Sequence, residues 1–433
     1  MELSKTGAKR RFCAILRSSM EYDAIVVGGG AAGMMAAGRA AERGKRVLLL
    51  EKNPYLGQKL AISGGGRCNV TNAEYDERAL LAHYGASAEF LHSPFAQFGV
   101  QSAFDFFEDR GLPLKVEANK RAFPASEKAS DVVHTLIEHL RAGNVEVRTE
   151  SPVAEVIMKD GKIEALRAGG ELYSAASYVF ATGGLSHPET GSTGDGFNWL
   201  ADLGHSVAEP TPTIVPLATL ETWVRELSGV SVEGVKITFE REAHPGEKPK
   251  RISRTGKVLF THFGISGPTV LNAAGEVADL LHEGAVTARI DTYPGLDLGH
   301  LDEKIVAHFD ANKNKSVRNA LKELAPPGTA SVLLALAGID PEKKVHSVTK
   351  DERRALAGIL KGIPLTITGL MGFERAVVAD GGVALTELDT RTMRSKKVAN
   401  LFIIGDLLHV SRPSGGYSLQ LCWTTGYVAG STV

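Results

Sequence analysis

The chain has 433 residues, 43% of them hydrophobic and 23% charged, with 47 glycines and a formal net charge of −1. Such a length asks for two or three folding units, and so neutral a balance excludes a whole-molecule field for nucleic acid or an anionic membrane, leaving local contacts only. No apolar run approaches the ~18 residues of a membrane span, and three scattered cysteines, Cys13, Cys68 and Cys422, give neither a disulfide framework nor a zinc site. A reducing, cytoplasmic setting without a bound metal is the expectation.

Residues 1–20, MELSKTGAKRRFCAILRSSM, are basic and lack the apolar stretch of a secretory signal. They read as a disordered extension, with Met20 as the working initiator. Residues 24–51, AIVVGGGAAGMMAAGRAAERGKRVLLLE, then give a strand, a glycine turn, a helix and a second strand ending in an acid. This is the pattern of a dinucleotide-binding βαβ unit. Gly28 allows the sharp turn, Gly30 the approach of a pyrophosphate to backbone N–H groups with Ala31 and Ala32 beside it, and Gly33 close helix packing. Glu51 is placed to accept ribose hydroxyls, and Lys52 follows it. An ordinary tight turn is the competing reading of the glycines alone.

The next segment, SGGGRCNVTN, sets Gly65 and Gly66 beside Arg67, Cys68 and Asn69, so the backbone there is expected to pass close to a cofactor. Cys68 reads as a small buried hydrophobe, not a nucleophile. Helical spacing from 78 to 111 reads as packing. An amphipathic helix follows, with Ser130 as its N-cap and Gly143 at its close. Strands at 153–158 and 162–167 flank the turn Asp160-Gly161, a hairpin signal. SYVFATGG is a strand ending at Thr182, Gly183 and Gly184, and the ends of strands in open α/β sheets are where ligands sit.

From about 208 the crossover rhythm gives way to short β-rich runs, and 208–297 reads as a β-barrel-like unit inserted into the first domain. Its hairpin carries Lys248, Lys250, Arg251, Arg254 and Lys257 against Glu247, a local basic segment that nucleic acid could use, as could RTMRSKK at 391–397. Residues 298–362 show helical patterning and read as a small insert. The first domain, 21–207, is expected to resume at 363 and run to 433. There NLFIIGDLL ends a strand at Gly405 and Asp406, and a helix begins at Gly416, followed by Tyr417 and Ser418. A helix N-terminus suits the negative charge that a reduced flavin carries near N1, and Asp406 suits a ribityl hydroxyl.

Five blocks in order, SGGGRCNVTN, RAFPASEKASDVV, ATGGLSHPETGSTGDGF, LFTHFGISGPTVL and PLTITGLMGFERAVVADGGV, resemble the aminoacetone-oxidase-like (BaiN/RdsA) family of FAD-dependent oxidoreductases. The resemblance implies an α/β fold in which a glutathione-reductase-type FAD-binding Rossmann domain is interrupted by the barrel-like domain and its helical insert. It also implies non-covalent FAD, with NAD(P)H as a transient donor in the absence of a second nicotinamide domain. Near the C-terminus the family pattern is broken at Asp406, His409, Ser418 and Leu421. The activity so implied is reduction of a carbon–carbon double bond, in a small enone-like molecule or in a uracil of ribosomal RNA. An oxidase of a small aminoketone, or a flavin-binding sensor without turnover, are the alternatives. Such a reduction needs a proton donor, for which Arg67, His262, His409 and Tyr417 are the candidates.

Overall fold

The computed structural model describes residues 21–242 and 248–433. The expected extension at 1–20 and Glu247 of the basic hairpin lie outside them. Two compact units divide the described residues: one holds those from 21 to 211 together with Asp380–Val433, and the other those between Pro212 and Ala379.

The first unit is built on a five-stranded parallel sheet in the order Leu401–Ile403, Ala175–Phe180, Tyr22–Val27, Val47–Leu50, Glu146–Arg148. The central strand YDAIVV is buried along nearly its whole length, as a parallel strand covered on both faces must be. Val27 is in register with both Phe180 and Leu50. The three strands therefore end together, and their loops leave from one edge of the sheet.

Helix Ala31–Glu42 follows the first strand, and the C-terminal helix Tyr417–Thr432 lies directly against it. Glycines set the spacing: a Cβ on Gly426 would fall 2.5 Å from the Ala32 carbonyl oxygen, and one on Gly430 2.4 Å from that of Ala36. The C-terminal helix is buried on nearly all sides, so its polar side chains need partners. Gln420 accepts from Thr71 Oγ1 at 2.6 Å, Thr424 donates to the Phe98 carbonyl at 2.8 Å, and Trp423 Nε1 to that of Val70 at 2.9 Å. Helix Ala129–Ala142 also packs on Ala31–Glu42, pressing the buried His139 ring over Gly38, where a Cβ would come within 2.1 Å of it. Ser130, expected as the N-cap, is already inside this helix; Lys128 stands at the cap position and no side chain caps it. The hairpin expected at Asp160-Gly161 is present, with φ of 48° and 73° at its two turn residues.

The second unit is a closed six-stranded barrel: Leu217–Thr219, Gly264–Ser266, Arg251–Thr261, Ser231–Arg241, Val286–Asp291 and Ile363–Leu370, the last pairing back to the first. The expected return to the first domain at 363 is thus corrected, because the strand IPLTITGL closes the barrel and the chain crosses back only at 379–380. Without that strand its two neighbours would present unpaired edges. Helices Leu298–Ala311, Val317–Leu321, Ala330–Leu336 and Lys350–Lys361 form the insert between the last two strands. Among the described residues no helix is long and apolar enough to cross a membrane.

The basic hairpin changes meaning once its neighbours are visible. Lys250 pairs with Glu283 at 2.6 Å, Arg251 with Glu240 at 2.9 Å, Lys257 with Glu233 at 2.9 Å, and Arg254 with Glu276. Four of its five cations are thus paired, from the facing strand and from helix Ala274–Glu283, which the linear order of the residues hides.

Candidate functional site

The glycine turn leaves the first strand at Gly28, whose φ of 105° lies in the region that favours glycine. Its close fit is two-sided: a Cβ on Gly28 would meet the Ala181 carbonyl oxygen at 2.5 Å, and a Cβ on Gly33 would meet the Gly28 oxygen at 1.9 Å. At Gly30, by contrast, an added Cβ meets nothing within 4 Å. The turn is therefore sealed on its protein side and open where the helix N-terminus faces outward. Ala32 is buried, within reach of Gly405, and Ala31 is half-buried.

Glu51 is buried, with Oε2 accepting from the Gly29 N–H at 2.7 Å and Oε1 from the Asn53 N–H at 2.8 Å. A carboxylate accepts about four hydrogen bonds, so this acid holds the turn and keeps acceptor capacity for a ligand's hydroxyls. Lys52 is tied to Thr193 and, at 2.8 Å, to Asp195 at the start of helix Asp195–Asp202. Opposite the turn lies the end of strand Ala175–Phe180. There Gly183 has a φ of 76°, Gly184 approaches the Asp406 backbone, and Thr182 Oγ1 is buried without a partner.

Gly64, Gly65 and Gly66 all have positive φ, and Gly65 and Gly66 face open space. Beside them Asn69 Oδ1 is buried without a partner. Cys68 is fully buried, and desolvation pushes its thiol up to about 12, so it stays protonated and inert. Arg67 stacks over Phe123 at 4.2 Å and pairs with Glu117 at 2.5 Å and Glu127 at 3.3 Å. Its guanidinium braces this loop.

The most concentrated charge lies where the last strand meets the last helix. Asp406 pairs with Lys59 at 3.1 Å through one oxygen and with Arg412 through the other. Burial opposes ionisation of Asp406, but the two cations outweigh it and hold its carboxyl below the usual carboxylate range. Lys59 also donates to Ser186. Arg412 donates to the Val410 carbonyl at 2.5 Å and to Ser418 Oγ at 3.0 Å, and its side chain is only 1% exposed. Ser418 stands in the first turn of helix Tyr417–Thr432, which begins at Gly416 with φ of 102° and without a side-chain cap. The chain there presses on the strand Thr71–Asn72: a Cβ on Gly416 would come 2.3 Å from the Thr71 carbonyl carbon.

Gly28 to Gly33, Glu51, Thr182 to Gly184, Gly405, Asp406 and Gly416 to Ser418 all belong to the first unit. Of the candidate proton donors, Arg67, His409 and Tyr417 belong to the first unit and His262 to the second. Tyr417 is buried, its ring 4.7 Å from that of His83, and burial raises its hydroxyl pKa. His409 is exposed, its backbone N–H donating to the Val383 carbonyl at 3.0 Å. His262 is exposed in the barrel unit, at the turn joining strands Arg251–Thr261 and Gly264–Ser266. Sequence reasoning passed over Lys59, Ser186 and Arg412. A signal for the last was present: across 398–433 Asp406 is the sole acid and Arg412 the sole Lys or Arg, in an otherwise apolar and glycine-rich run.

A family profile described as the HI0933-like protein Rossmann domain matches residues 22–432. The chain belongs to that family. It is the family already suggested by the five ordered blocks, and by this membership the chain is an FAD-dependent oxidoreductase. Among curated relatives it is 31% identical over 410 residues to the ribosomal RNA dihydrouridine synthase of Escherichia coli, covering 94% of this chain and 96% of the relative. It is 29% identical over 409 residues to the 3-dehydro-bile acid delta(4,6)-reductase of Clostridium scindens, covering 94% and 97%. Among solved structures, a 3-ketosteroid-delta4-(5alpha)-dehydrogenase from Rhodococcus jostii shares the fold with a TM-score of 0.52 at 16% identity, over 97% of this chain and 98% of that one. The residues fit the cofactor: the turn admits a ligand at Gly30 and no side chain at Gly28 or Gly33, and unpartnered polar atoms of Thr182 and Asn69 lie in the segments that border it.

Proposed function

We propose that this chain uses NAD(P)H and bound FAD to reduce a carbon–carbon double bond conjugated to a carbonyl in a small molecule. The observation that carries the reading is that the two relatives described above, by their names, saturate such a bond, one in a bile acid and one in a uracil ring. When bound, FAD supplies two-electron chemistry at its N5 atom. The residues divide the task of holding it. Gly28–Gly33 and Glu51 take the pyrophosphate and ribose, with Thr182 and Asn69 as further polar contacts. Asp406, held ionised by Lys59 and Arg412, accepts from the ribityl chain, and Gly416 to Ser418 meet the ring through backbone N–H groups. The 63–72 loop, braced by Arg67, covers the cofactor where Gly65 and Gly66 leave room. His409 is the proposed proton donor from the first unit, and Tyr417, kept protonated by burial, a hydrogen-bond donor.

The dinucleotide fingerprint at 28–33 has no second copy in the sequence, which supports a nicotinamide donor that visits and leaves. Charge pairing across the basic hairpin supports the small molecule over RNA. A uracil in ribosomal RNA is the second reading, favoured by the Escherichia coli relative. To test these, the purified yellow protein is bleached with NADPH or NADH under argon and then given an enone, ribosomal RNA or air. Colour returning fastest with the enone is the expected result. Fastest recovery with RNA selects the second reading, fastest recovery with air selects an oxidase, and no recovery selects a sensor.

A further inference from the structure

The Lys59–Asp406–Arg412 cluster contains two cations and one carboxylate, so it carries one net positive charge. Side-chain exposures of 27% for Lys59, 17% for Asp406 and 1% for Arg412 take that charge largely out of water. Among the described residues no second carboxylate lies within ion-pair distance of Lys59 or Arg412. The nearby Tyr84 and Cys422 cannot supply the missing negative charge, because desolvation raises both pKa values and keeps both groups neutral. Burying an uncompensated charge is unfavourable unless an opposite charge completes the site. Ser418 links the cluster to the first turn of helix Tyr417–Thr432, whose N–H groups add about half a positive charge of the same sign.

Arg412 is also held fixed. Its Nε, Nη1 and Nη2 are engaged by Ser418, the Val410 carbonyl and Asp406 respectively. Two of those partners, Asp406 and Ser418, are positions where the sequence departs from the family pattern, and the guanidinium joins them. A cation held in place out of water favours whichever state of an adjacent group carries more negative charge, and needs no rearrangement to do so.

We propose that Arg412 is the charge-setting residue of this site, a fixed cation that favours the reduced form of the bound flavin over the oxidised form. The inference rests on the reading that places the flavin ring at the start of helix Tyr417–Thr432. It assigns Arg412 a part in setting the direction of electron flow, apart from holding the cofactor.

The experiment compares the wild-type holoprotein with Arg412→Met, Arg412→Lys and Asp406→Asn. FAD content is measured first, from absorbance and released cofactor, and the two-electron midpoint potential is then measured against a reference dye. Arg412→Met is expected to retain FAD and to lose about tenfold in the preference for the reduced form, a fall of about 30 mV for a two-electron couple. Arg412→Lys is expected to restore most of that shift. Asp406→Asn, which leaves the cluster with two net positive charges, is expected to move the potential upward. Opposite signs in the two charge-changing variants are what a merely structural role would not produce, and Asp406→Asn decides the matter if Arg412→Met does not fold. FAD-replete variants with unchanged potentials, or with shifts of the same sign, would overturn the assignment of Arg412. A wild-type protein that takes up no FAD would instead overturn the reading on which it rests.

Discussion

The two ends of the candidate cofactor site are built from different materials. At the Gly28–Gly33 turn the proposed binding surface is backbone, and contact distances of 1.9 and 2.5 Å for absent Cβ atoms show that volume is what it cannot accept. At the Asp406 end the surface is made of side chains from three separate segments, and charge is what it cannot lose. One end is fixed by shape and the other by electrostatics, so substitutions that change volume and charge separately should act on them selectively.

The largest effect is expected at Gly33. Gly33→Ala puts a methyl group into the Gly28 carbonyl, and neither side of the contact can yield, since both are backbone. Loss of FAD binding together with a fall in stability of roughly 2–4 kcal/mol, the range for overpacking with strain, is expected in urea titrations of the holoprotein. Retention of full FAD content would mean the turn is softer than the comparison requires.

Next comes Glu51→Gln, which nearly keeps volume at the turn but turns one acceptor oxygen into a donor facing a backbone N–H. An unsatisfied buried group costs about 1–3 kcal/mol, so FAD affinity by equilibrium dialysis should fall by about tenfold or more. An unchanged affinity would show that shape alone holds that end.

Between these and the surface lies a pH effect away from the cofactor. Burial pushes His139 down to about 4, against the partly offsetting Glu42 carboxylate 3.5 Å away. The folded pKa is depressed relative to an unfolded value near 6.5, so the unfolded chain binds the proton more readily. The contribution of neutral His139 is therefore complete above about pH 6.5 and is lost as pH falls towards 4. Denaturation midpoints of the wild type should decline through that window, and His139→Leu should flatten the decline. An identical slope in the variant would assign acid sensitivity elsewhere.

The smallest effect is expected on the barrel. Arg254→Ala breaks an exposed pair with Glu276 and should change stability by less than about 1 kcal/mol, diminishing further with added salt. It should also leave any response to ribosomal RNA unchanged. A marked loss of RNA response would reopen the nucleic-acid reading of the hairpin.

Residues 24–51 specified the dinucleotide turn without help from the rest of the chain, because a strand, a φ-demanding glycine and a small-residue helix are local backbone requirements. The glycine start of the last helix and the hairpin at Asp160-Gly161 were legible for the same reason. Tertiary structure alone decided three things: that strand Ile363–Leu370 closes the barrel, that four cations of the basic hairpin are paired with acids facing them, and that Arg412 meets Lys59 through Asp406. Each depends on which distant segments become neighbours. Alternation marks a strand without naming its partners, and a side chain's charge is written in the sequence while its compensation is a matter of position in space.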